Sequence, residues 1–154
     1  MGDEAPARSG ADAPEAEAGL ASRDAFGRLL GLELLESDPT RVCARLVADA
    51  RHHQPYGIVH GGVYCSIVEG VASYGAGVAA RARGQVGVVG VANQTDFLRS
   101  TRSGVLEAEG LPLHAGRSQH LWSVVIRRPG GGPVVARGQV RFQVLDALPS
   151  GGAG

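Results

Sequence analysis

The densest run of reactive side chains is Gln54-Pro55-Tyr56-Gly57-Ile58-Val59-His60-Gly61-Gly62, followed at a distance by Glu69 and Ser73. Glu69 stands in an apolar stretch. Its neighbours at three and four residues are Cys65, Ser66, Ala72 and Ser73. Side chains this small leave room for a ligand beside a carboxylate. Partial burial there would raise the carboxyl toward the working range of a general base; the plainer alternative is a solvated or hydrogen-bonded glutamate. Gly61 and Gly62 stand at the start of the same stretch. If it is a helix, its first N–H groups lack intrahelical acceptors and its dipole is positive there. Glycine has no Cβ and lets a substrate oxygen come close, so the junction could hold the oxyanion of an acyl transfer, or be no more than a tight loop–helix turn. Gln54 could donate an amide N–H to the same oxygen, or be an ordinary loop residue. As a lone histidine, His60 reads first as a cap or orienting group and second as an acid or base.

These residues need a helix to carry them and strands to hold the helix. Gly61–Arg83 is the long helical candidate, because Val63, Ile67, Val71, Tyr74 and Val78 recur at three and four. Before it, Ser22 can cap a short helix over Arg23–Leu30, with Gly31 ending it. Leu32–Glu36 predicts a strand and Ser37-Asp38-Pro39-Thr40 a turn. Arg41–Val47 predicts a second strand, with Val42, Ala44 and Leu46 on one face. Ala48–Val59 predicts a loop. Four strands follow, Gln85–Phe97, Gly104–Ala115, Arg117–Arg128 and Pro133–Asp146, the last two joined by Pro129-Gly130-Gly131-Gly132. This order predicts an α+β fold, a mostly antiparallel sheet wrapped around one central helix. Long strands with bare edges need cover, and edge pairing between two copies into one continuous sheet would supply it.

Composition removes other classes. The 154 residues suit one domain. Fifteen basic residues, all Arg, balance 15 acidic ones, and zero net charge argues against an electrostatically driven nucleic-acid binder. Without Lys there is no Schiff-base or lysine general-base chemistry. The longest apolar run, Val86–Ala92, is far short of the roughly 20 residues of a membrane span. The acidic N-terminus has no apolar segment of a secretory signal, and Pro6 breaks the myristoylation pattern. Cys43 and Cys65 make no CxxC and read as buried thiols of a reducing cytoplasm. His52, His53 and His60 match no zinc spacing. There is no GxSxG elbow and no phosphate-binding glycine loop. Residues 1–21, rich in Ala, Pro, Asp, Glu and Gly, and residues 147–154 are expected to be disordered tails, leaving 22–146 as the folded domain.

Gln54-x-x-Gly57-x-x-His60-Gly61-Gly62, with Glu69 nine residues after His60 and Ser73 four further on, resembles the hot dog acyl-CoA thioesterases. The nearest subgroup is that of PaaI and one type of 4-hydroxybenzoyl-CoA thioesterase. Asn93-Gln94-Thr95-Asp96-Phe97-Leu98-Arg99 and Gly116-Arg117-Ser118 are also similar to the family's. The resemblance covers roughly 25–145 and implies the hot dog fold. By the same resemblance Glu69 is the catalytic carboxylate, as nucleophile or as base for water. Gly61 N–H and the Gln54 side chain polarise the thioester carbonyl, with Gly62 beside them. His60 orients that loop, and Ser73 positions the water. Asn93, Thr95, Arg99, Arg117, Ser118 and Arg141 become candidates for holding the substrate, the arginines for the phosphates of coenzyme A. Many relatives carry Asp where this chain has Glu69 and Asn where it has Gln54; the Glu/Gln pairing points to the subgroup named. No metal or redox cofactor is expected.

Spacing adds a constraint of its own. Gly61 and Glu69 are eight residues apart, about 12 Å along one helix, whereas a reacting carbonyl must lie about 3 Å from its donors and close to the attacking group. Two antiparallel helices from two subunits can meet that requirement, so composite sites in a homodimer are expected, with dimers pairing into a homotetramer. Two rivals stay open. A hot dog dehydratase would act on 3-hydroxyacyl thioesters, and a non-catalytic acyl-CoA-binding module would be indifferent to Glu69.

Overall fold

The computed structural model describes residues 24–147. Most of both expected tails, and the Ser22 cap, lie outside the described residues. The elements are α1 (Ala25–Leu30), β1 (Leu32–Ser37), β2 (Val42–Ala48), α2 (Gly61–Ala82), β3 (Gly87–Phe97), β4 (Gly104–Ala115), β5 (Gln119–Arg127) and β6 (Val134–Leu145). All pairings are antiparallel, in one six-stranded sheet of order β1-β2-β4-β5-β6-β3. β1 and β3 are its edges.

The alternation expected of β2 holds. Val42, Ala44 and Leu46 are buried, and Arg45 and Val47 face solvent. The same period runs through β5, where His120, Trp122, Val124 and Ile126 point inward. These inner faces curl around α2, whose Ile67, Val68, Val71, Ala72 and Ala76 complete the core. Gly75 brings the helix down onto the sheet, since a Cβ there would stand 2.3 Å from the Trp122 ring. By length and composition α2 could cross a membrane, although no uninterrupted apolar run is long enough to suggest it. Most of it is buried inside the wrap of the sheet, the position of a core helix.

Two local expectations need correction. The helix expected from Arg23 starts at Ala25 among the described residues, with Asp24 as its N-cap. Its Oδ1 accepts the Gly27 N–H at 2.8 Å, and Gly31 closes the helix at φ +81°. Six residues make a marginal helix, but Asp24 Oδ2 also accepts the Tyr74 hydroxyl at 2.8 Å and ties α1 to α2. Burial, with the neighbouring carboxylate second, pushes the Tyr74 hydroxyl up to about 12. Asp24→Ala loses the cap and strands that hydroxyl, so the unfolding free energy should fall by about 1–2 kcal/mol in urea melts. Asp24→Asn, which still caps and accepts, should recover most of it.

The second correction concerns Ala48–Val59, which is more than a loop. Ala50–His52 forms a 3-10 turn capped by Asp49, and His53 bridges to Val59. The Asp49 carboxyl is held at about 2, chiefly by its hydrogen bond from Arg51. His52 is buried. Its Nδ1 accepts the Asp49 N–H at 3.1 Å, and its Nε2 donates to the Leu30 carbonyl at 2.8 Å, the pattern of a neutral imidazole. The His60 N–H donates to the His52 carbonyl. The segment before α2 is thereby fixed to α1, and this fixes where α2 begins.

Candidate active site

The chemistry-bearing residues fall into two groups along α2. The first lies at its N-terminus. Gln54 is held by its own backbone, whose N–H donates to the Ile58 carbonyl and whose carbonyl accepts the Gly57 N–H. Gly57, at φ +70°, supplies the left-handed backbone of this turn. The Gln54 side-chain oxygen accepts the Tyr56 N–H, so the amide N–H₂ is the end left to donate. His60 is the N-cap, with Nδ1 accepting the Gly62 N–H at 2.8 Å and its carbonyl accepting the Val63 N–H. These two bonds fix the imidazole against the start of α2. The first uses up the Gly62 N–H and leaves the Gly61 N–H as the first-turn donor with no acceptor among the described residues. The Phe97 ring closes over Gly61, where a Cβ would stand 2.5 Å from a ring carbon. Gln54, Val59, Gly61, Tyr64, Phe97 and Arg99 line a cavity of about 280 Å³.

The second group lies two turns further along α2. Glu69 lines a cleft of about 700 Å³ between α2, α1 and the start of β3. Ser73 Oγ donates to Glu69 Oε1 at 3.5 Å, and Asn93 Nδ2 donates to Oε2 at 3.3 Å. Asn93 Nδ2 also reaches the Cys65 carbonyl at 3.0 Å, and Thr95 Oγ1 donates to Asn93 Oδ1 at 2.7 Å. Asn93 and Thr95 therefore build the setting of the carboxylate. The remaining walls are mostly apolar, with Phe26, Leu30, Leu32 and Val88 among them, and Arg81 also lines the cleft. Neither cysteine is disulfide-bonded. Burial pushes the Cys43 thiol up, the wrong direction for a nucleophile. Among the described residues no three His, Cys, Asp or Glu side chains converge as metal ligands.

The two cavities share no lining residue. Gly61 and Glu69 of one chain thus lie in separate cavities, about 12 Å apart along α2.

The arginine candidates are also separated. Arg99 lies at the first cavity and donates to the Val134 carbonyl at 2.6 Å. Arg117 and Ser118 form the β4–β5 turn beside the other end of α2, where Gln85 Nε2 donates to the Arg117 carbonyl at 2.8 Å and the Val144 N–H donates to the Ser118 carbonyl. The 22 residues of α2 put about 33 Å between those ends. Arg141 is exposed on β6 between buried Val140 and Phe142, so it faces away from α2 and lines neither cavity. The sequence reading missed Tyr74 and Asp24 at the cleft. It also missed Gly90, which lies against the Glu69 carboxylate.

Comparison with known proteins agrees with this architecture. The profile of the thioesterase superfamily matches residues 56–135. Rv1847 of Mycobacterium tuberculosis is 44% identical over 137 residues, 88% of this chain and 97% of its own. Its solved structure superposes with a TM-score of 0.76 at 45% identity, covering 80% of this chain and 98% of that one. The proofreading thioesterase EntH of Klebsiella pneumoniae is 37% identical over 83 residues, 54% of this chain and 59% of EntH. The solved structure of a mutant of thioesterase PA1618 from Pseudomonas aeruginosa is 25% identical at a TM-score of 0.76, covering 90% and 96%. With its six antiparallel strands wrapped around α2, this chain belongs to the thioesterase superfamily of hot dog fold and is a thioester hydrolase.

Proposed function

We propose that the protein hydrolyses acyl- or aryl-CoA thioesters to the free acid and CoA at two composite sites of a homodimer. The observation that carries this reading is the Glu69 carboxylate, held by Ser73 and Asn93 in a mostly apolar cleft and lying in a different cavity from the oxyanion donors. The thioester oxygen sits on the Gly61 N–H and the Gln54 amide of one copy. The partner's Glu69 either takes a proton from water as the water attacks the carbonyl carbon, or attacks that carbon itself to form an anhydride that water then hydrolyses to the free acid; in both routes the thiolate of CoA leaves and takes up a proton. The carboxylate and the amides supply the whole of this chemistry, with no metal or redox cofactor.

The edge strand supports the dimer. β3 is 11 residues long and exposes Val89, Val91 and Phe97, all at 45% or more. A long apolar edge of this kind is a template for pairing. Antiparallel pairing of two copies would bring Gly61 of one toward Glu69 of the other, and Arg99 of one toward Arg117 and Ser118 of the other. Exposed Val47, Val105 and Leu111 on the outer sheet face offer apolar surface for pairing two dimers into a homotetramer. The unpaired thiols of Cys43 and Cys65 support a cytoplasmic setting.

The test is thiol release from short, long and aromatic acyl-CoAs. Free CoA with the matching acid is the expected product. An enoyl chromophore without thiol would point to a dehydratase instead, and tight binding without turnover to a binding module.

A further inference from the structure

We infer that Gly90 is a positioning residue for the Glu69 carboxylate, a reading that rests on the function proposed above. Gly90 lies in β3 opposite Phe142 of β6, where the register slips between Gly90 and Ala92. Its backbone does not require glycine, because it is not among the glycines of positive φ. Glycine inside a strand weakens the strand and marks the close approach of something else. Here the approaching group is the catalytic carboxylate. A Cβ built on Gly90 would stand 2.4 Å from Glu69 Oε1, 3.4 Å from its carboxyl carbon and 3.7 Å from Oε2.

The carboxylate thus occupies the space in which the side chain of any other residue would begin. It is bounded on three sides. Ser73 Oγ meets Oε1, Asn93 Nδ2 meets Oε2, and the bare Cα of Gly90 backs Oε1. Asn93 lies on the same strand, three residues beyond the start of the register slip. The slip therefore sets both the donor and the gap against which the carboxylate rests.

A methyl group at position 90 conflicts with one atom within 3 Å, the far end of a flexible side chain. Ordinary carbon–oxygen contact is near 3.5 Å, so the carboxylate must swing by about 1 Å. The fold tolerates that movement and the chemistry does not, since a misplacement of about 1 Å can cost a factor of the order of 100 in rate.

The experiment compares Gly90→Ala with wild type and repeats the change in a Glu69→Asp background. Aspartate is one methylene shorter and withdraws from the new methyl. In the Glu69 background kcat should fall by about 10- to 100-fold with KM and melting temperature near wild type. In the Glu69→Asp background the same substitution should change kcat less than about threefold, because the clash is gone. Equal losses in both backgrounds would overturn the inference, as would no loss in the first. A large drop in melting temperature would also overturn it, because a swing of the carboxylate alone leaves the fold intact. If Glu69→Gln kept full turnover, the functional reading itself would fall, whatever Gly90→Ala did. If Glu69→Gln lost turnover and Gly90→Ala did not, only the role of Gly90 would fall.

Discussion

Glu69→Gln should lower the turnover of the best acyl-CoA by a factor of about 100 or more, with KM nearly unchanged and the melting temperature within a few degrees of wild type. The amide has almost the volume of the carboxylate and can still meet the Ser73 hydroxyl and the Asn93 amide. It cannot take a proton from water and is a poor nucleophile. A hundredfold loss corresponds to about 2.7 kcal/mol of transition-state stabilisation. It should appear in kcat, because the carboxylate acts on the reacting carbon or its water rather than on the bulk of the substrate. Steady-state thiol release measures both constants. Turnover equal to wild type would remove Glu69 from the mechanism and leave the cleft as a binding site.

Gly61→Pro should cost a further factor of about 100 to 1,000 relative to Gly61→Ala, the range for losing one oxyanion donor. The pair separates the N–H from the Cβ. Either substitution adds a Cβ against the Phe97 ring, 2.5 Å away as the ring now stands. Phe97 is 55% exposed and can swing outward. Proline alone removes the N–H. Position 61 follows the N-cap, where helices accept proline because that N–H has no intrahelical acceptor. The preceding residue, His60, already has the extended backbone that proline demands, at φ −65° and ψ 137°. The two variants should therefore melt alike and differ in kcat. Equal rates would show that the carbonyl oxygen does not rest on this N–H.

Much of this site was legible because its residues act through types and short spacings. A carboxylate on a small-residue helix face, two glycines at a helix start and a histidine before them read the same way in sequence and in structure. The hydrophobic period of α2 and the alternation of β2 likewise carried over, with boundaries shifted by no more than one residue. What was not legible depends on register. The place of Gly90 against Glu69 follows from a slip in the pairing of β3 with β6, and no local pattern announces it. The same pairing sets Asn93 against Glu69 and the Cys65 carbonyl, contacts that no spacing in the sequence announces. The Asp49–His52 capping box uses histidine where glutamate or glutamine is usual, so the segment read as plain loop. The face on which Arg141 lies could be assigned only once its neighbours Val140 and Phe142 were seen to be buried.

The central claim is that each reacting site takes its donors from one subunit and its carboxylate from the other. Subunit mixing tests it most directly. Glu69→Gln and Gly61→Pro proteins, each nearly inactive alone, are co-expressed with different tags, and the hybrid dimers are purified. Each hybrid then carries one site with both native groups and one with neither, so thiol release should return to about half the wild-type rate per dimer. If the donors and the carboxylate of one site came from a single chain, every site of the hybrid would lack one of them. The hybrid would then be no more active than its parents, and the composite site would be wrong.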